Sequence, residues 1–96
     1  MIRKYSTLTP TNNYYKPEHS TRFVITRKKA AALVDILTKD YSKESALLVP
    51  RINYELHHGS HDTHIAFYAD EDNVDELTAI QLACMQLMFV HIEIGV

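Results

Sequence analysis

The stretch ALLVPRINYELHHGSHDTHIAFYA, residues 46–69, decides how this chain is read. Ile52, Tyr54 and Leu56 alternate with Arg51, Asn53, Glu55 and His57, the period of two of a half-buried strand, so a strand is expected over about 46–58. Pro50 has no N–H to give a ladder, which places it at a sheet edge or a bulge. Ile65 and Phe67 alternate with His64, Ala66 and Tyr68, predicting a second strand over about 61–69. Gly59-Ser60 between them suits a two-residue type II′ turn, so the stretch reads as a hairpin. That register sets Glu55 opposite His64 and His57 opposite Asp62, with directly opposed Cβ atoms about 4.5 to 5.5 Å apart.

Working outward, TRFVITR (21–27) is rich in β-branched and aromatic residues and predicts a strand. Thr26 is placed to cap a helix over about Arg27–Tyr41, in which Ala30, Leu33, Val34, Leu37 and Tyr41 recur at spacings of three and four. ADEDNVDELTAIQLACMQLM (69–88) predicts a helix entered through acids, with Val74, Leu77, Ile80, Cys84 and Leu87 as its buried stripe. FVHIEIGV (89–96) supports two readings. Its β-branched alternation favours a strand, whereas the lack of a breaker would let the helix run to Glu93, with Gly95 as its stop. The strand is preferred. The resulting order is β-α-β-β-α-β, a ferredoxin-like α+β domain over 21–96. Residues 1–20, with Pro10, Pro17 and little periodicity, form an irregular N-terminal arm whose Tyr14 and Tyr15 suggest packing on the domain or a partner.

The histidines His57, His58, His61 and His64, with Glu55 and Asp62, are the densest group of titratable side chains. The plainest reading is a pair of imidazole–carboxylate contacts on a hairpin surface. A second reading uses His57, His61, Asp62 and His64 as ligands for a transition metal such as zinc, although their spacing matches no paired zinc motif. A third rests on His19-Ser20-Thr21 and His61-Asp62-Thr63, which resemble the paired His-x-Thr motifs of 2H-type phosphoesterases. The resemblance covers those six residues and implies imidazoles acting as general acid and base. With only two glycines, Gly59 and Gly95, the chain has no phosphate-cradling loop, and no cofactor is expected. Cys84, among apolar neighbours, reads as a core residue rather than a nucleophile.

Charge is divided along the chain. All ten Lys and Arg lie at or before Arg51 against four acids, and eight acids with no Lys or Arg follow. Arg22, Arg27, Lys28, Lys29 and Arg51, with Tyr14, Tyr15 and Tyr68, are therefore candidates for binding a partner or an anion. A nucleic-acid backbone or a phosphate ligand is one such anion, opposed by the acidic second half and a pI of about 6.3. The preferred expectation is a small non-enzymatic protein that acts by contact with another protein, as an inhibitor or adaptor of the kind phages and mobile elements carry. Either the Pro50-interrupted edge or the C-terminal strand would extend a sheet across a homodimer. A single cysteine, no apolar run of membrane-spanning length and no signal-peptide pattern predict a cytoplasmic location and no membrane partner.

Overall fold

The computed structural model describes residues 16–58 and 62–95, with 89–95 as backbone only. Five elements follow in order: β1 (Ser20–Thr26), α1 (Arg27–Asp40), α2 (Leu48–His58), β2 (His64–Asp70) and α3 (Val74–Gly95). The ferredoxin-like expectation is overturned. The described residues form one two-stranded antiparallel sheet, β1 against β2, where that fold requires four strands.

Two segments account for the difference. Residues 48–58 are a helix, because Leu48, Ile52 and Leu56 also recur every four residues, a stripe that a helix buries as well as a strand does. Leu48 and Ile52 are fully buried, and Leu56 packs beside them. Pro50 is the third residue of α2, inside the first turn, where its missing N–H has no helical acceptor to lose. Its lack of a donor marks a helix start here, not a strand edge. The expected hairpin, its register and both imidazole–carboxylate pairs across it are therefore absent, and Gly59, Ser60 and His61 lie outside the described residues.

The second segment is the C-terminus. No Pro, Gly or Asn interrupts the chain between Asn73 and Gly95, and α3 continues to Gly95. Its 22 residues span about 33 Å at the usual rise of a helix. The alternation of Val90, Ile92 and Ile94 is overridden: β-branched residues cost a helix only a few tenths of a kcal/mol each. Neither segment proposed to extend a sheet across a dimer is a strand.

The remaining elements agree with expectation. The Thr26 hydroxyl accepts the Lys29 N–H at 3.1 Å and caps α1, which buries Ala30, Leu33 and Leu37. Ser45, buried in the turn after α1, donates its hydroxyl to the Tyr41 carbonyl at 2.6 Å. Its own carbonyl accepts the Leu48 and Val49 N–H groups at 3.0 and 2.9 Å, joining the end of α1 to the start of α2. Phe23 pairs with Phe67, Ile25 with Ile65 and Thr21 with Ala69 on the sheet face turned to the helices. Arg22, Val24, Ala66, Tyr68 and His64 occupy the outer face. The arm's Lys16 places its ammonium 4.9 Å from the centre of the Tyr68 ring, and Pro17 is buried; residues 1–15, Tyr14 and Tyr15 among them, lie outside the described residues. Among the described residues no helix is long and apolar enough to cross a membrane.

Candidate functional site

The most constrained polar group lies where β2 turns into α3. Asn73 accepts the Glu76 N–H on its side-chain oxygen at 3.0 Å and its carbonyl accepts the Leu77 N–H, so it caps α3. Glu76, three residues on, turns its carboxylate inward, where it accepts the Asp70 N–H and an Arg51 guanidinium N–H, both at 3.0 Å. Arg51 also donates to the Tyr68 carbonyl at 3.2 Å. Both side chains are shielded from solvent, 8% exposed for Arg51 and 0% for Glu76. Arg51, expected to bind a partner or an anion, is an interior residue.

The histidines are dispersed. The His57 and His58 rings lie by the carbonyls of Asn53 and Tyr54, one turn back in α2, with ring nitrogens at 2.8 and 3.3 Å. Each ring thus folds back along its own helix. His64 opens β2 and contacts the Thr63 hydroxyl at 2.9 Å. Among the described residues no three His, Cys, Asp or Glu side chains are grouped to hold a metal ion; His61 lies outside them. The described residues of the two His-x-Thr segments, 19–21 and 62–63, fall at opposite ends of the sheet. Thr21 sits opposite Ala69, whereas the Thr63 carbonyl accepts the N–H of Arg27, six residues further along. At strand rise that separates the two threonines by about 20 Å, too far for one acid–base centre.

The basic candidates are divided too. Arg27 donates from Nε to the Asp62 carbonyl at 2.7 Å and from Nη1 to the Leu56 carbonyl at 2.9 Å. It fastens the end of α2 to the start of α1 and sets a cation against a helix C-terminus, where the dipole welcomes it. Lys28 and Lys29 are exposed on the first turn of α1, and Arg22 and Tyr68 share the outer sheet face. The proposed anion surface is thus split among the interior, a helix junction, a helix start and a sheet face. Burial raises the Glu55 carboxyl above its ordinary range, with the Arg27 charge opposing that shift.

Sequence reasoning missed the surface of α3. Its buried stripe is Glu76, Ala79, Ile80 and Ala83, flanked by Leu77 and Leu87; Val74 and Cys84, expected within it, are exposed. The opposite side carries Leu82, Met85 (47% exposed) and Met88 (65% exposed), one every three residues. Burial nonetheless raises the Cys84 thiol above its ordinary value, because its surroundings on this helix are apolar. The signal was present in the sequence: residues 77–92 contain no Asp, Glu, Lys or Arg, so both sides of the helix are poor in charge. A helix apolar all round is ordinarily covered all round.

Comparison with family models, with curated proteins and with solved structures found no match to this chain.

Proposed function

We propose that this protein acts by contact with another protein, as an inhibitor or adaptor, through the outward side of α3. The observation that carries this reading is the ridge of Leu82, Met85 and Met88 on a helix whose opposite side is already packed in the core. Methionine suits such a surface because its unbranched, polarizable side chain adapts to a partner's shape. Exposed Glu71, Asp72 and Asp75 border the N-terminal end of the helix, and α3 carries no Lys or Arg. The fitting partner therefore presents an apolar surface rimmed by Lys or Arg, with the charges steering its approach. A free cysteine is in keeping with action in a reducing cytoplasm.

The reading is tested with photoreactive methionine incorporated into the full chain in its own cells, followed by titration of the captured, purified partner. Crosslinks at Met85 and Met88, and binding lost in a Met85→Asp variant that keeps its helical spectrum, are expected. Crosslinks elsewhere, or binding unchanged by Met85→Asp, would overturn it.

A further inference from the structure

The sheet has two long edges, and they are treated differently. The Glu71 N–H donates to the His19 carbonyl and the Arg27 N–H to the Thr63 carbonyl, both at 2.8 Å, one at each end of the ladder. These bonds set its parity: odd-numbered residues of β1 turn their backbone groups toward β2, and even-numbered residues of both strands turn theirs outward. On β2 the helices take up the outward groups at one end of the strand, the Tyr68 carbonyl by Arg51, the Asp70 N–H by Glu76 and the Asp70 carbonyl by the Asn73 N–H. On β1 the outward N–H and C=O groups of Arg22 and Val24 have no hydrogen-bond partner among the described residues. No proline interrupts this edge, and Arg22 is its single charge.

We infer that the outer edge of β1 pairs with β1 of a second copy of this chain, antiparallel about a two-fold axis at Phe23, giving the four-stranded order β2-β1-β1-β2 across the dimer.

The register follows from the residues. A two-fold centred on Phe23 sets Arg22 opposite the partner copy's Val24 and Ser20 opposite Thr26, so every outward backbone group of Ser20–Thr26 enters a hydrogen-bonded pair. Shifting the axis to Arg22 would oppose two guanidinium groups, and directly opposed like charges are destabilising. Shifting it to Val24 leaves Ser20 and Thr21 beyond the paired region. The chosen register also brings the two Phe23 rings together on the axis, each already stacked on its own Phe67 at 5.3 Å, to form a row of four rings. The helices lie mainly over β2, whose Ile65, Phe67 and Ala69 are buried, whereas Phe23 and Ile25 on the same face of β1 are only half-buried. Val24 is 53% exposed on the outer face. A second copy gives the open edge its hydrogen bonds and sets side chains beside Phe23, Val24 and Ile25, as strand addition does elsewhere. A copy of this chain fits the edge because β1, set against its own reversed image, pairs every outward backbone group while keeping its one cation away from the other copy's cation.

The test is sedimentation equilibrium on the full chain up to about 100 µM, where association tighter than micromolar is nearly complete. The wild-type chain is expected to be a dimer, with the Arg22 and Val24 amide hydrogens increasingly protected from exchange as concentration rises. Val24→Pro removes an outward N–H without touching the β1–β2 ladder, and Val24→Lys sets a cation against Arg22 of the other copy. Each is expected to weaken the dimer at least tenfold, while Val24→Glu, facing the same Arg22, holds it as tightly or more tightly. If Val24→Pro does not fold, the Lys and Glu variants decide. A monomeric wild type, a dimer indifferent to Val24→Lys, or a dimer weakened as much by Glu as by Lys would each overturn the inference. It goes beyond the α3 reading and fails separately from it, since Met85→Asp is expected to leave the dimer intact.

Discussion

Arg51 of α2 and Glu76 of α3 meet at 3.0 Å in the interior and together hold the outer edge of β2 at its C-terminal end, one through the Tyr68 carbonyl and the other through the Asp70 N–H. The pair joins two helices to a strand, and its members lie 25 residues apart in the chain. Removing one partner leaves a buried charge without its counter-charge, which costs about 3 to 5 kcal/mol. That is a large part of the roughly 5 to 15 kcal/mol that holds a typical domain. Arg51→Met and Glu76→Gln are each expected to lose stability on that scale in urea unfolding. Their combination is expected to cost at least about 0.5 kcal/mol less than the sum of the two, since neither charge is then stranded. Strict additivity would show that the two side chains do not act as a pair.

How much of this was legible in the sequence depends on whether an element's pattern had one solution or two. β1 and α1 had one: the β-branched run ends at Thr26, a capping residue, and the spacing of Ala30, Leu33 and Leu37 suits only a helix. The inward face of β2 was equally plain from Ile65 and Phe67. Residues 46–58 had two, because Leu48, Ile52, Tyr54 and Leu56 satisfy a period of two over the last five positions and of four over nine. What decides between them is tertiary. As a helix the segment lets Arg51 reach Glu76, a contact no local pattern announces. The candidate site was misread for the same reason, since cross-strand pairing of histidines requires a hairpin that does not form. The ridge on α3 went unseen because residues 77–92 are apolar enough to hide which side is core.

The assignment of Pro50 to the first turn of α2 carries its own prediction. There its missing N–H is harmless, so Pro50→Ala is expected to change stability by less than about 1 kcal/mol. Asn53→Pro, one turn deeper, removes an interior hydrogen bond and sets the ring against a carbonyl, at a cost of about 3 kcal/mol or more. Thermal melts of the two variants compare them directly. Equal, small effects would contradict a helix over Leu48–His58.

Glu55 gives a pH dependence whose sign is fixed. Burial raises its folded-state carboxyl above the unfolded value, so the folded protein holds that proton more tightly. Between the unfolded value near 4.5 and the higher folded one, the folded state binds more protons, and this group's contribution to stability falls as pH rises. Glu55→Gln removes the dependence. Its melting temperature relative to wild type is therefore expected to be higher at pH 7 than at pH 4. A difference of the opposite sign would mean that the Arg27 charge outweighs burial.

Cys84 separates surface exposure from reactivity. The residue is exposed on α3, yet apolar surroundings raise its thiol above the ordinary value, and the thiolate is the form that attacks an alkylating reagent. At pH 8 the native protein is expected to react with iodoacetamide several-fold more slowly than the same chain in denaturant, with the native rate still climbing beyond pH 9. Because the folded state favours the protonated thiol, this group's contribution to stability also declines as pH passes above its unfolded value. Occupation of the neighbouring Met85 and Met88 ridge by a partner would slow the native reaction further, which makes alkylation of Cys84 a footprint for that surface. Equal rates in the native and denatured chains would place the sulfur in water and remove the apolar environment on which this expectation rests.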